Sequence, residues 1–339
     1  MHTPDFWYAS PSSSKGSVWA STLASVALLY DSVSRLNSWL TTPMPSPVPV
    51  LCVGNLVAGG AGKTPTVIAL AELLSAHGIP THILTRGYGG RLSGPLRVDL
   101  AHHTAADVGD EALLLARVAT TWIGADRRVT AHRAAEAGAK LVIMDDGFQN
   151  PNLRKDLSLV VIDGAVGLGN GRIIPAGPLR EDPARALTRA DAVLIMGDDM
   201  ASVADRIISL APRGLPILTA RLEPDETGAK LAAKRVFAFA GIARPEKFFA
   251  SLRAAGCEVA GTRVFPDHHQ FRTSDLAALR TAARDAGAIL VTTEKDYVRL
   301  SAEEAAAIQV LAVRAAWRDE DSVAALLAPL EAKAGHGRV

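Results

Sequence analysis

Lys63 and Thr64 close the run Gly54-Asn-Leu-Val-Ala-Gly-Gly-Ala-Gly-Lys-Thr-Pro-Thr66, directly after the apolar stretch Val48-Pro-Val-Leu-Cys-Val53. Glycines in such a turn let backbone N–H groups close around phosphate oxygens. A lysine at this point reaches the terminal phosphates, and the hydroxyl after it ligates Mg²⁺. The chemistry on offer is nucleotide binding through Gly59, Gly60, Ala61, Gly62, Lys63, Thr64 and Pro65. Pro65 falls in a first helical turn, where a missing N–H costs little. The usual pattern wants a glycine where Val57 stands, and Gly59 and Gly60 supply the flexibility instead. One family of ATPase switches carries a lysine before its paired glycines. This chain has Ala58 there, which counts against that reading.

Other groups are less specific on their own. Asp145-Asp146 ends the apolar Leu141-Val-Ile-Met144, so the pair can hold Mg²⁺ or its waters beside the phosphate loop; two solvated turn aspartates is the plainer account. Gly109-Asp110-Glu111 opens a helix, where acids commonly serve only as dipole partners. Phe265-Pro-Asp-His-His-Gln-Phe271 places histidines suited to proton handling in a short loop, either as working groups or as surface side chains. Zinc would need a second ligand cluster, and none is visible. The loop from Gly169 to Glu181 carries Arg172, Arg180 and Glu181, and Thr292-Thr-Glu-Lys-Asp296 ends a strand; both fit substrate contact or structural capping. With no nucleophile elbow and no cysteine–histidine pair, covalent catalysis is not indicated.

Apolar strands must position these groups. Strands at 48–53, 81–85, 141–144, 159–163 and 192–196 alternate with helices at 65–77, 109–119 and 131–138. That order predicts an α/β fold of the P-loop NTPase type, a mostly parallel sheet flanked by helices, with ligands at the carboxyl ends of the strands. Composition shifts around Pro212 to Pro224, and a second α/β series follows: strands at 236–240, 257–264, 288–292 and 308–313, with helices at 245–255 and 274–286. The expected organisation is an N-terminal helix region at 1–45, a kinase-like core at 46–222 and a smaller α/β domain at 223–339.

A formal charge of +1 over 339 residues offers no basic surface for nucleic acid. Cys52 and Cys257 lie far apart beside apolar residues and read as buried, reduced thiols. Between Lys15 and Asp31 there is no charge, yet the segment is too short and serine-rich for a membrane span and lacks the marks of a signal peptide. On a helix, Trp19, Leu23, Val26, Tyr30 and Val33 line one face, with Leu29, Leu36 and Leu40 nearby. Such a stripe either lies in a membrane interface, with Phe6, Trp7, Tyr8 and Trp19 at headgroup level, or packs on the protein's own core.

Taken in order, the blocks resemble the tetraacyldisaccharide 4′-kinase family of lipid A biosynthesis. They run from Phe6-Trp7-Tyr8 through Gly54-Asn…Gly-Gly-x-Gly-Lys-Thr-Pro65, Thr85-Arg-Gly-Tyr-Gly89, Gly109-Asp-Glu111 and Asp145-Asp-Gly-Phe-Gln149. Gly169-Asn-Gly…Pro-Ala-Gly-Pro-Leu-Arg-Glu181, Phe239-Ala-Gly-Ile242, Phe265-x-Asp-His268 and Thr293-Glu-Lys-Asp296 complete the series. The family's loop is similarly non-standard at Val57. Ala112 and Asn150 replace the proline and histidine usual there.

The resemblance implies transfer of the γ-phosphate of ATP to the 4′-hydroxyl of an acylated glucosamine disaccharide 1-phosphate, giving lipid IVA. It implies Asp110 as proton acceptor with His268 paired to it, or His269 if the register slips. Lys63 would stabilise the transferred charge, Thr64, Asp145, Asp146 and Glu181 would serve Mg²⁺ and the nucleotide, and Arg86 would meet a phosphate. It further implies a peripheral protein at the cytoplasmic face of the inner membrane, held by the N-terminal helix, with domains closing over ATP. A nucleotide-hydrolysing switch, a kinase of a soluble sugar and a non-catalytic membrane scaffold are the rival readings.

Overall fold

Every residue of five strands is buried: Val50–Gly54 (β1), Thr81–Thr85 (β2), Leu141–Asp145 (β5), Leu157–Asp163 (β6) and Ala192–Met196 (β7). Such runs, buried on both faces, belong at the centre of a parallel sheet covered by helices. In the computed structural model, which describes residues 4–8 and 20–335, they do. Leu96–Arg97 (β3), Thr121–Ile123 (β4) and Ile217–Pro224 (β8) extend the sheet, as does Val313–Trp317 (β13). The order is β13-β8-β7-β6-β1-β5-β2-β4-β3, antiparallel only at the edge strands β3 and β13.

β1 lies between β5 and β6, with Val53 opposite Asp145 and Gly54 opposite Val160. This register sets the glycine loop after β1 beside Asp145, the last residue of β5, and Asp146 after it. The helix Lys63–Ala76 follows the loop and buries Val67, Ile68, Leu70 and Leu74 against the sheet.

Arg235–Ala240 (β9), Glu258–Val264 (β10), Ile289–Thr293 (β11) and Ile308–Leu311 (β12) form a second sheet, ordered β10-β9-β11-β12 and wholly parallel. Its core gathers Phe239, Phe249, Leu252, Leu276, Leu279 and Val291. The expected strand at 308–313 divides in two. β12 stays in the second sheet, while β13 crosses to pair with β8 of the first. The closing helix Glu320–Gly335 then buries Val323, Leu327 and Leu330 in the first core. The second sheet is therefore an excursion from the first unit rather than a C-terminal end piece.

The helix Ala24–Leu40 buries Ala27 alone among its residues. Leu28, Leu29, Val33, Leu36, Trp39 and Leu40 are each more than half exposed. Val26 and Tyr30 are exposed as well, so the stripe from Val26 onward does not pack on the protein's own core, while Leu23 is half-buried; Trp19 lies outside the described residues. No helix among the described residues is long and apolar enough to cross a membrane. Ahead of it, Trp7 and Tyr8 are tied down: Trp7 Nε1 donates to the Pro175 carbonyl at 3.0 Å and Tyr8 Oη to the Ala58 carbonyl at 3.3 Å.

Candidate active site

Local sterics shape the loop. Gly62 caps the helix Lys63–Ala76 with φ of +90°, and a Cβ there would lie 2.9 Å from Met196 Cγ. Only glycine satisfies both conditions. Val57 has a positive reason to be there. It pairs in extended form with Leu179, flanked by Ala58 N–H donating to the Pro178 carbonyl at 2.8 Å and Arg180 N–H to the Leu56 carbonyl at 2.8 Å. The loop between 169 and 181 is thereby stitched to the phosphate loop. The buried Asn55 amide donates to the Val57 carbonyl at 2.5 Å and fixes the turn from inside.

Asp145 and Asp146 differ sharply. Asp145 is buried; Oδ2 accepts from Thr85 Oγ1 at 3.2 Å, while Oδ1 has no protein partner. Burial, with Glu111 and Asp146 adding negative charge, raises its pKa to about 7. Asp146 follows with φ of +48°. It receives a two-pronged contact from Arg180 at 2.9 and 3.1 Å and faces Lys63 Nζ at 3.6 Å. Burial pushes its carboxyl up, but Lys63 and Arg180 outweigh that and hold it below the usual range. The buried Arg127 donates to the Thr85 carbonyl at 2.6 Å and places its charge within reach of Asp145.

The third cluster joins the two sheets. Gly109, at φ of +88°, lets the chain pass the Tyr88 carbonyl, which a Cβ would approach to 2.4 Å, and Asp110 then opens a short helix. Its Oδ2 lies 3.1 Å from Nδ1 of His268 and accepts from both Nε (3.1 Å) and Nη2 of Arg299. Arg299 also donates to Asp296 Oδ1 at 2.8 Å and the Gly241 carbonyl at 3.0 Å. Burial works against ionising Asp110, yet the His268 hydrogen bond and Arg299 charge overcome it and lower its pKa strongly. The same hydrogen bond raises the pKa of His268, against its partial burial. His269 faces away from Asp110, onto Asp275 at 3.0 Å.

A sequence profile of the tetraacyldisaccharide-1-P 4′-kinase family matches residues 19–331. The chain belongs to this family. The tetraacyldisaccharide 4′-kinase of Rhodospirillum centenum is 51% identical over 340 residues, covering 100% of this chain and 99% of its own. That of Methylobacterium sp. strain 4-46 is 50% identical, covering 99% and 100%. The crystal structure of LpxK from Aquifex aeolicus in complex with ATP superposes with a TM-score of 0.73 at 26% identity, over 92% of this chain and 99% of that one.

Against the family motifs, the fold brings Lys63, Thr64, Asp145 and Asp146 to one cradle, with the Asp110–His268 pair nearby; the charge of Glu111 is felt at Asp145. Arg86 is exposed just beyond β2, and its side chain makes no ion pair or hydrogen bond among the described residues. Glu181 is placed differently. Both of its oxygens accept from Arg189, at 2.9 and 2.8 Å, and among the described residues it reaches the loop through Gln149, which also donates to the Asn55 carbonyl. Among the described residues no three His, Cys, Asp or Glu side chains gather as a metal site. Arg299 and Arg127 were missed from sequence. For Arg299 the signal was its spacing of three from Asp296, one helical turn. The family departures are local: Ala112 is buried in the helix after Asp110, and the Asn150 turn is held by Lys155 Nζ at 2.6 Å from its carbonyl.

Proposed function

We propose that the protein transfers the γ-phosphate of ATP to the 4′-hydroxyl of tetraacyldisaccharide 1-phosphate, forming lipid IVA. The observation that carries this reading is the Asp110–His268 contact. A carboxylate from the first unit is held ionised by an imidazole from the second, beside a phosphate loop. A nucleotide-hydrolysing switch needs no such pair; a kinase does, because the acceptor hydroxyl must lose its proton as it attacks. Asp110 accepts that proton, and His268 and Arg299 hold the carboxylate in place. Lys63 and the loop N–H groups from Gly59 to Thr64 offset charge on the transferred group.

Asp145, with one buried oxygen lacking a protein partner, and the buried Thr64 fit Mg²⁺; Asp146 flanks them. Bound there, the ion would supply positive charge against the negative charge of the phosphates. Glu181 fits that role less well, since Arg189 already takes both oxygens, and Arg86, exposed at the end of β2, can meet a phosphate.

A groove of about 1040 Å³ between the helix Ala24–Leu40 and the core suits a bulky phosphorylated acceptor. Arg35, Arg154, Lys155, Arg185 and Trp39 line it. The exposed apolar face of that helix suits the cytoplasmic surface of the inner membrane, where a four-chain lipid stays. Residues 46–222 with the returning strand and last helix supply the donor site, and the second sheet supplies His268.

Incubation with γ-labelled ATP and the tetraacyldisaccharide 1-phosphate in detergent should transfer label to lipid. Nucleotide hydrolysis without labelled lipid would refute the assignment.

A further inference from the structure

Two cations of the second unit converge on one carboxylate of the first. Arg244 Nη1 lies 2.6 Å from Oδ2 of Asp163, and Lys247 Nζ contacts the same oxygen. Asp163 ends β6, the neighbour of β1, and its side chain is 6% exposed. Its other oxygen accepts from Ala165 N–H at 2.9 Å. Two positive charges against one negative leave a surplus of positive charge at this spot.

That spot borders the phosphate loop. Arg244, Asp163 and Tyr8 enclose, with Gly59, Gly60 and Ala61, a cavity of about 10 Å³, room for roughly one water. The Arg244 guanidinium stands 5.6 Å from the centre of the Tyr8 ring, whose hydroxyl is bonded to the loop. On the loop itself, a Cβ at Gly60 would meet nothing within 4 Å, and one at Gly59 only the Tyr8 hydroxyl at 3.7 Å. The leading half of the loop is therefore uncrowded, and Arg244 borders the same cavity as its glycines.

We propose that Arg244 is a further catalytic residue of the phosphoryl transfer, held on Asp163 before ATP binds and then donating to the γ-phosphate. The proposal rests on the kinase reading above. In the step, the acceptor oxygen bonds to the γ-phosphorus and its proton goes to Asp110. The bond from that phosphorus to the β–γ bridging oxygen breaks, and its electron pair leaves with ADP. Arg244 N–H groups meet charge on the phosphoryl oxygens, as arginines supplied in cis or in trans do in other phosphoryl transferases.

Two features suit Arg244 to move where Arg299 is not. Its side chain is 26% exposed against 1% for Arg299, and it sits at the N-cap of the helix Pro245–Ala254, held there by its backbone carbonyl while the side chain projects from the helix end. Lys247 provides for its departure. It remains on Asp163, so the buried carboxylate is never left without a cation, which would be costly.

The test uses full-length Arg244→Ala and Arg244→Lys. Lipid kinase assays give kcat and KM, and calorimetry gives affinities for ADP and for the β,γ-imido analogue of ATP, each with Mg²⁺. Arg244→Ala should lose roughly 10²–10³ in kcat, keep ADP affinity within about twofold, and lose affinity for the imido analogue. Arg244→Lys should recover part of kcat, since it restores charge without the planar fork. Unchanged kcat in Arg244→Ala would overturn the proposal. So would an equal loss of affinity for both nucleotides with a lowered melting temperature, the mark of a purely structural pin. The calorimetry needs no acceptor. A wild-type protein that phosphorylates no lipid but binds the imido analogue through Arg244 would refute the acceptor assignment and leave this one standing.

Discussion

Asp110 is a carboxylate whose ionised state is secured from outside its own sheet. Burial alone would keep its proton on; the His268 hydrogen bond and the Arg299 guanidinium reverse that. Asp110→Asn should therefore cut turnover by about 10²–10⁴-fold while nucleotide binding persists. Lys63→Ala should lose a comparable amount, roughly 10²–10³-fold, and weaken ATP binding as well. Calorimetry beside the lipid assay separates the two, and near-normal turnover in Asp110→Asn would remove Asp110 from the mechanism. The same contact sets a pH dependence. His268 has its pKa raised on folding, so the stability it adds is fully present below the ordinary histidine value of about 6.5 and is lost as pH rises through its raised value. The melting temperature of wild type should exceed that of His268→Gln most at the acidic end of this window. The gap should close above it, and a gap that widened with pH would contradict the pairing.

At the scale of elements, the strands carrying the site were plain in the sequence because continuous apolar runs of Val, Ile and Leu leave little choice but a buried parallel sheet. The loop after β1 and the aspartates at the end of β5 were legible for the same reason. What escaped was set by contacts distant along the chain. Val57 is accounted for only by its pairing with Leu179, and Glu181 only by Arg189, and no local pattern foretells either. β8 hid in a stretch whose prolines and charges read as a boundary, because four of its residues are exposed beside an edge strand. The N-terminal helix shows a further lesson. Deleting everything up to its end would also remove Trp7 and Tyr8, which are bonded to the loops around the nucleotide site. Membrane attachment is better tested by Leu29→Ser, Leu36→Ser and Trp39→Ser together, since these side chains are 66%, 54% and 81% exposed. If they insert into lipid, vesicle partition should fall at least about tenfold for each, with turnover on a detergent-dispersed acceptor kept. Unchanged partition would mean the helix face serves something other than a membrane.

At the scale of the whole molecule, Arg299 is the most deeply buried cation between the two units. The second sheet leaves the first after β8 and returns through β13, so covalent continuity at both ends limits how far the units separate. Between those ends, Arg299 and Asp110 form a buried ion pair, with side chains 1% and 5% exposed, and Asp296 shares the cation at 0%. A cation serving two enclosed carboxylates gains its worth from what its loss would strand. Arg299→Leu leaves Asp110 and Asp296 without it, and breaking a buried pair in this way costs about 3–5 kcal/mol. Lys295 on Glu111, and Arg244 and Lys247 on Asp163, would remain as ties between the units, so the fold should persist in weakened form. Denaturant unfolding measures the loss. Adding Asp110→Asn to Arg299→Leu should recover part of it, because one stranded charge disappears, and the two changes should be clearly non-additive. Additive losses would show that Arg299 stabilises the second unit internally, through Asp296 and the Gly241 carbonyl, and that the closed cleft is held by other contacts.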